Sequence, residues 1–219
     1  MSIVPPKFFD PGRATFVQHR NLPHWQQEGV CAFVTMRLFD SLPSAVMEKH
    51  AQARRRWLAE RGCDPDLPEA FVLDQLSPME QRSFRRFASS RLQRSLDKGA
   101  GSCLLRQSEI RSIVEECLRF GDGRDYALYG FVVMPNHVHL LLQPFADHSL
   151  QKILSSMRRV SARNVNRLMR RTGDLWQSEP FDHLVRSSHW FERYRSYMRL
   201  NPVRARLPAH AYTWWQAEL

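Results

Sequence analysis

At 219 residues, 43% of them hydrophobic and 25% charged, the chain has enough apolar material for one large domain or a domain with an appended subdomain. Lys and Arg number 32 against 22 Asp and Glu, a formal charge of +10, so the surface leans towards polyanionic partners. The cysteines Cys31, Cys63, Cys103 and Cys117 form no C-x-x-C pair, which excludes a zinc ribbon, and no apolar run reaches membrane-spanning length, so reduced thiols and cytoplasmic residence are expected.

Met1 to Ala14 is Pro-rich and polar with no apolar targeting core, and Pro5 to Pro11 reads as an unstructured lead-in. Val30 to Leu38 is β-branched and aromatic, the pattern of a first strand. Asp40-Ser41-Leu42-Pro43-Ser44 is a stop followed by a helix start, and Ala45 to Arg61 reads as a helix. Gly62 to Pro68 breaks it, and Pro78 to Lys98 is a second, strongly basic helix carrying Arg82, Arg85, Arg86, Arg91 and Arg94. After a Gly99-Ala100-Gly101 hinge, Ser108 to Phe120 is an amphipathic helix with Ser108 at its N-cap, ended by Gly121-Asp122-Gly123.

Tyr126 to Met134 and His137 to Gln143 are expected as two strands of a tight antiparallel hairpin turning at Pro135-Asn136. Alternation along a strand sends His137 and His139 to the same face, just past the bend, while Val138 and the following leucines anchor the core. Two co-facing imidazoles are half of a divalent-metal site or a clamp on an anion.

Ser149 to Thr172 reads as a long helix with Leu150, Ile153, Leu154, Met157, Val160, Val165, Leu168 and Met169 on its apolar side. Its other faces carry Lys152, Arg158, Arg159, Arg163, Arg167, Arg170 and Arg171, with no acid between Ser149 and Gly173. Like charges one turn apart repel, so an uncompensated basic face points to a phosphate backbone alongside it. Leu175 to Arg186 reads as a loop entering a short strand, and Ser188 to Leu200 as a helix closed by Asn201-Pro202.

On that last helix Tyr197 and Asn201 are four apart and share a face. An Asn carbonyl is an acceptable hard ligand, so His137, His139 and Asn201 could together hold one Mg²⁺ or Mn²⁺. Tyr197 would then sit over the phosphate that the cation polarises, as a nucleophile. Tyr194 is a rival, about 60° round the helix and without a partner four residues on.

These segments together resemble the REP-associated tyrosine transposases, relatives of the single-tyrosine transposases named for a His-hydrophobe-His motif. The resemblance is carried by Leu22-Pro23-His24-Trp25, by Phe33-Val34-Thr35-Met36-Arg37-Leu38 with Asp40-Ser41-Leu42-Pro43, and by Leu96-Asp97-Lys98-Gly99-Ala100-Gly101-Ser102-Cys103. It continues through Val132-Val133-Met134-Pro135-Asn136-His137-Val138-His139, Thr172-Gly173-Asp174-Leu175-Trp176-Gln177 and Phe181-Asp182-His183 to Tyr197-Met198-Arg199-Leu200-Asn201-Pro202-Val203-Arg204-Ala205.

The resemblance implies an α+β, ferredoxin-like antiparallel sheet with helices on one face and an additional helical segment at about 45–98. It places a lead-in at 1–20, the main domain at 21–207 and an extension at 208–219. It puts the nucleophile on Tyr197 and the metal on His137, His139 and Asn201; the basic Ser149–Thr172 helix and the basic 82–94 segment are then expected to grip hairpin-forming single-stranded DNA by phosphate contacts. The reaction it implies is strand cutting with tyrosine joined to the 5′ phosphate and a 3′ hydroxyl freed, then rejoining. One departure is Arg206, where relatives usually carry glycine just past the helix, at a position expected to be left-handed. Another is Glu179-Pro180, where proline alters entry into the following strand. The residues leave two further readings open: a non-catalytic DNA-hairpin binder on the same scaffold, and a ferredoxin-like RNA-binding module. They do not decide between monomer and homodimer.

Overall fold

The computed structural model describes residues 4–19, 23–67 and 69–218, so Leu22 of the first motif and Pro68 of the breaker lie outside the described residues. The chain divides into two compact units, residues 1–39 with 102–219, and residues 40–101.

The first unit is built on a five-stranded sheet. In chain order its elements are strands β1 (Phe16–His19), β2 (Pro23–Gln26) and β3 (Ala32–Arg37), then helix α4 (Ser108–Arg119). Strands β4 (Tyr126–Val133) and β5 (His137–Pro144), helix α5 (Leu150–Leu168), strand β6 (Phe181–Leu184), helix α6 (Ser188–Arg204) and strand β7 (Thr213–Gln216) follow. The sheet order is β6-β3-β5-β4-β7, all antiparallel, with β1 and β2 paired separately. Taken alone, β3-α4-β4-β5-α5-β6 is the βαββαβ ferredoxin-like unit.

Alternation gives this sheet two apolar faces. One carries Val34, Met36, Val138, Leu140 and Leu142, covered by Ile110 and Val114 of α4 and by Leu154 and Met157 of α5. The other carries Phe33, Val132 and Leu141, covered by Phe191 and Met198 of α6. The two crossover helices thus share one face, as expected, while α6 takes the face on which the histidines stand. In β4 the ladder slips between Leu128 and Gly130, so Tyr129 is an extra residue that reverses which alternate side chains face which core.

Five details differ from the expectations. The lead-in is packed: Phe8 lies against the second core, and the Phe9 N–H donates to the Val185 carbonyl oxygen at 2.8 Å. The β1–β2 pair and β7 carry weak local patterns, and only pairing reveals them as strands. Gln107, not Ser108, precedes the first turn of α4, with no side-chain cap. Helix α5 ends at Leu168 rather than Thr172, because Arg170 turns left-handed (φ 49°) and the Arg171 N–H closes back on the Asn166 carbonyl oxygen at 2.9 Å. Finally, Pro202 does not stop α6: the helix runs on to Arg204. Proline removes one N–H from the helical ladder, but the turn after it is closed by Leu207 N–H to the Pro202 carbonyl oxygen and Arg206 N–H to the Val203 carbonyl oxygen, both 3.0 Å.

The second unit is helical: α1 (Ser44–Ala59), α2 (Glu69–Gln75) and α3 (Pro78–Asp97). Its own core is Trp57, Leu58, Cys63, Val72, Leu76 and Phe84. Ser77 and Glu80 form a reciprocal capping box at the start of α3, with Pro78 in the first turn, which is why that boundary was legible. No helix among the described residues is long and apolar enough to cross a membrane.

Candidate active site and basic face

The site is assembled by three local rules and one tertiary one. The Pro135-Asn136 turn starts β5 at His137, with Met134 N–H closing on the His137 carbonyl oxygen at 2.8 Å. Strand alternation then sends His137 and His139 to the face of Leu141, and both are essentially solvent-free, at 0% and 1% exposure. Helical spacing puts Tyr194, Tyr197, Met198 and Asn201 on the inner side of α6. The tertiary step is the packing of α6 across β4 and β5, which sets the Tyr197 Oη 3.3 Å from His139 Nε2. The two ring centroids are 5.1 Å apart.

Both imidazoles are oriented from behind. His139 Nδ1 is 2.8 Å from Thr35 Oγ1 on the neighbouring strand, and His137 Nδ1 is 2.8 Å from Asn136 Oδ1. With Nδ1–H donating to these oxygens, each ring turns an Nε2 lone pair into the site. His137 Nε2 is buried and meets no hydrogen-bond partner among the described residues. Burial holds both rings neutral: the pKa of His137 falls to about 3, with the Arg37 guanidinium adding to the effect, and that of His139 falls well below its ordinary value, with His137 adding.

Asn201 lies one turn beyond Tyr197, 1% exposed, and neither its Oδ1 nor its Nδ2 has a hydrogen-bond partner among the described residues. An unpaired buried amide and a bare imidazole nitrogen are what a donor set for a cation presents, since each would otherwise be a desolvated polar atom. The set is two nitrogens and one amide oxygen. No cluster of three or more His, Cys, Asp or Glu that could hold a metal occurs among the described residues.

Tyr194 is differently employed. Its ring stacks on Phe33, and burial raises its pKa. His183 packs edge-on against Phe181 at a 4.5 Å centroid distance. Three neighbours of the histidines escaped the sequence reading as functional groups: Phe33, which stacks on His139 at 5.3 Å, Thr35, and Arg37, whose Cα pairs with that of His137. Their strand was legible, but a register with β5 joins residues about a hundred positions apart, and nothing local encodes it.

The basic helix divides into two groups. Lys152, Arg159, Arg163 and Arg167 are exposed on α5, and Arg170 is exposed just past its end. Arg158 is half-buried, and its guanidinium donates to the carbonyl oxygens of Gln177 (2.9 Å) and Ser178 (2.6 Å), which ties the loop before β6 to the helix.

The first unit is thus ferredoxin-like α+β, with two strand histidines facing a helix tyrosine. Residues 105–198, less than half of the chain, match the family described as "Transposase IS200 like". The matched segment contains His137, His139 and Tyr197; Asn201 lies just beyond it. Among solved structures the chain is similar to one described as "Structure of the REP associates tyrosine transposase bound to a REP hairpin". That match has 14% identity and a TM-score of 0.44, and it covers 85% of this chain and 73% of the other. No curated protein matches the chain.

Proposed function

We propose that this protein is a metal-dependent, site-specific single-strand DNA endonuclease and strand transferase acting on hairpin-forming repeats through a 5′-phosphotyrosine. One observation carries the reading: a half-buried phenol hydroxyl lies 3.3 Å from one of two neutral, co-facing imidazoles. The match of residues 105–198 to the IS200-like transposases supports it.

Tyr197 Oη attacks the phosphorus of a phosphodiester in line. A new Oη–P bond forms, the P–O3′ bond breaks, and the phenol's proton ends, through solvent, on the departing 3′ oxygen. The product is a diester again, so the bond energy is conserved and a second 3′ hydroxyl can reverse the step. His137, His139 and Asn201 would hold a Mg²⁺ or Mn²⁺. Bound there, the cation supplies positive charge to a non-bridging phosphate oxygen. His139 would give its Nε2 lone pair to that ion, and the Tyr197 hydroxyl, which lies 3.3 Å from this nitrogen, would then be available to the phosphate. Thr35 and Asn136 keep the two rings in the required tautomer. Lys152, Arg159, Arg163, Arg167 and Arg170 grip the DNA backbone through phosphate contacts.

The test is a labelled single-stranded hairpin oligonucleotide incubated with Mg²⁺ or Mn²⁺. A covalent, denaturant-resistant adduct is expected with wild type and none with Tyr197→Phe, which keeps hairpin binding. Binding without an adduct under either metal overturns the enzyme reading in favour of a hairpin-binding protein. A preference for RNA hairpins favours the RNA-binding reading.

A further inference from the structure

Arg37 is the residue on the histidine face that the mechanism above leaves without a task. It ends β3, and alternation puts its side chain with Phe33 and Thr35, on the side of the sheet that α6 covers. Its Cα pairs directly with that of His137 across the ladder. Opposed residues in an antiparallel pair hold their Cβ atoms about 4.5–5.5 Å apart, so guanidinium and imidazole share one patch.

Nothing in that patch answers its charge. Among the described residues the Arg37 side chain makes no hydrogen bond or ion pair, and its Nε is buried without an acceptor. Neither His137 nor His139 can supply a negative charge, since an imidazole is either neutral or cationic. Gln177, which runs beside the end of β3, gives its backbone N–H to the Arg37 carbonyl oxygen and so offers no anion. The one acid of β6, Asp182, pairs with Val34 and therefore points to the opposite face. Arg37 is half-buried, and a partly desolvated guanidinium without a counter-ion costs a fold free energy. Its planar donors match the oxygens of a phosphodiester.

We infer that Arg37 is a phosphate-contacting residue: its guanidinium donates to the non-bridging oxygens of the scissile phosphodiester and stabilises the charge that gathers there as Tyr197 attacks. This rests on the strand-transfer reading of the site. It assigns the anion-binding half of the centre, opposite the cation-binding half made by His137, His139 and Asn201.

The experiment uses the full chain in wild-type, Arg37→Gln, Arg37→Lys and Tyr197→Phe forms, with the hairpin oligonucleotide and Mn²⁺. Loss of one preorganised donor to a transition state costs about 100- to 1000-fold, so Arg37→Gln is expected to slow adduct formation by that order while hairpin affinity is kept. Arg37→Lys keeps the charge, loses the fork and falls between the two. The second measurement needs no DNA. Arg37→Gln removes an unanswered charge, so the free variant is expected to melt at or above the wild-type temperature. A wild-type adduct rate in Arg37→Gln overturns the assignment and leaves the Tyr197 reading intact. A wild type that forms no adduct overturns the Tyr197 reading and, with it, the transition-state role. A lowered melting temperature in Arg37→Gln makes the residue structural and overturns the assignment whatever the adduct assay gives.

Discussion

Tyr194 lies flat on Phe33, ring centroids 4.2 Å apart and planes 7° from parallel. The stack fixes the Tyr194 ring against β3, whereas the phenol oxygen 3.3 Å from His139 Nε2 is that of Tyr197. Tyr194→Phe keeps the stack and is expected to leave adduct formation within about twofold of wild type, since an aromatic pair contributes only about 0.5–1.5 kcal/mol and phenylalanine retains it. Gel analysis of the adduct in Tyr194→Phe and Tyr197→Phe decides between them. An adduct surviving only in Tyr197→Phe would move the nucleophile to Tyr194.

Asn201 has two buried amide atoms without a hydrogen-bond partner among the described residues. Asn201→Ala is therefore expected to leave the melting temperature of the metal-free protein unchanged or raised, because it removes unsatisfied polar atoms. The Mn²⁺ concentration for half-maximal adduct formation should rise by about tenfold or more, the range that metal-site substitutions produce. An unchanged metal requirement would remove Asn201 from the donor set.

The histidines also set a pH dependence of stability. His137 has a pKa of about 3 in the folded protein against an ordinary 6.5, so between these values the unfolded chain binds more protons than the folded one. Stability is fully present above the unfolded value and falls as pH drops through it towards the folded value, at up to about 1.4 kcal/mol per pH unit for such a group. His139, shifted in the same direction, adds to the loss. Melting temperatures between pH 7.5 and 4 should show this decline, and His137→Gln should flatten it. A wild-type curve as flat as the variant's would contradict neutral burial of His137.

Arg206 stands at φ 53°, the left-handed residue closing α6. A residue with a Cβ there costs about 1–2 kcal/mol relative to the right-handed region, and glycine is free of that cost. Arg206→Gly is thus expected to stabilise the protein by about 1 kcal/mol, measured by urea unfolding, with Tyr197 chemistry preserved. A loss of stability would mean that the Arg206 side chain makes a contribution larger than the strain.

The basic residues of α5 separate by what they touch. Neutralising Arg159, Arg163 and Arg167 together should weaken hairpin binding and reduce its salt dependence, by about 0.7–0.9 in the log–log slope for each phosphate that no longer meets a cation. Arg158→Gln should instead lower stability, since its guanidinium holds the carbonyl oxygens of Gln177 and Ser178. Equal salt slopes in the triple variant and wild type would take the DNA off this face.

Elements whose cause is local were legible in the chain. The hairpin turning at Pro135-Asn136, the shared face of His137 and His139, the start of α3 at Pro78, and the Tyr197–Asn201 spacing all arise within a few residues of one another. The left-handed position at Arg206 was legible as well, though the end of α6 was not, because the hydrogen bonds that carry the helix past Pro202 come from residues after it. Pairing was beyond the sequence: strand register alone brings Thr35 behind His139 and Arg37 opposite His137, and only the packing of α6 on the histidine face brings a phenol within 3.3 Å of an imidazole. Periodicity fixes which way a side chain points from its own backbone. Which distant backbone it meets depends on how two apolar faces of one sheet are covered, and that is decided by the whole core at once.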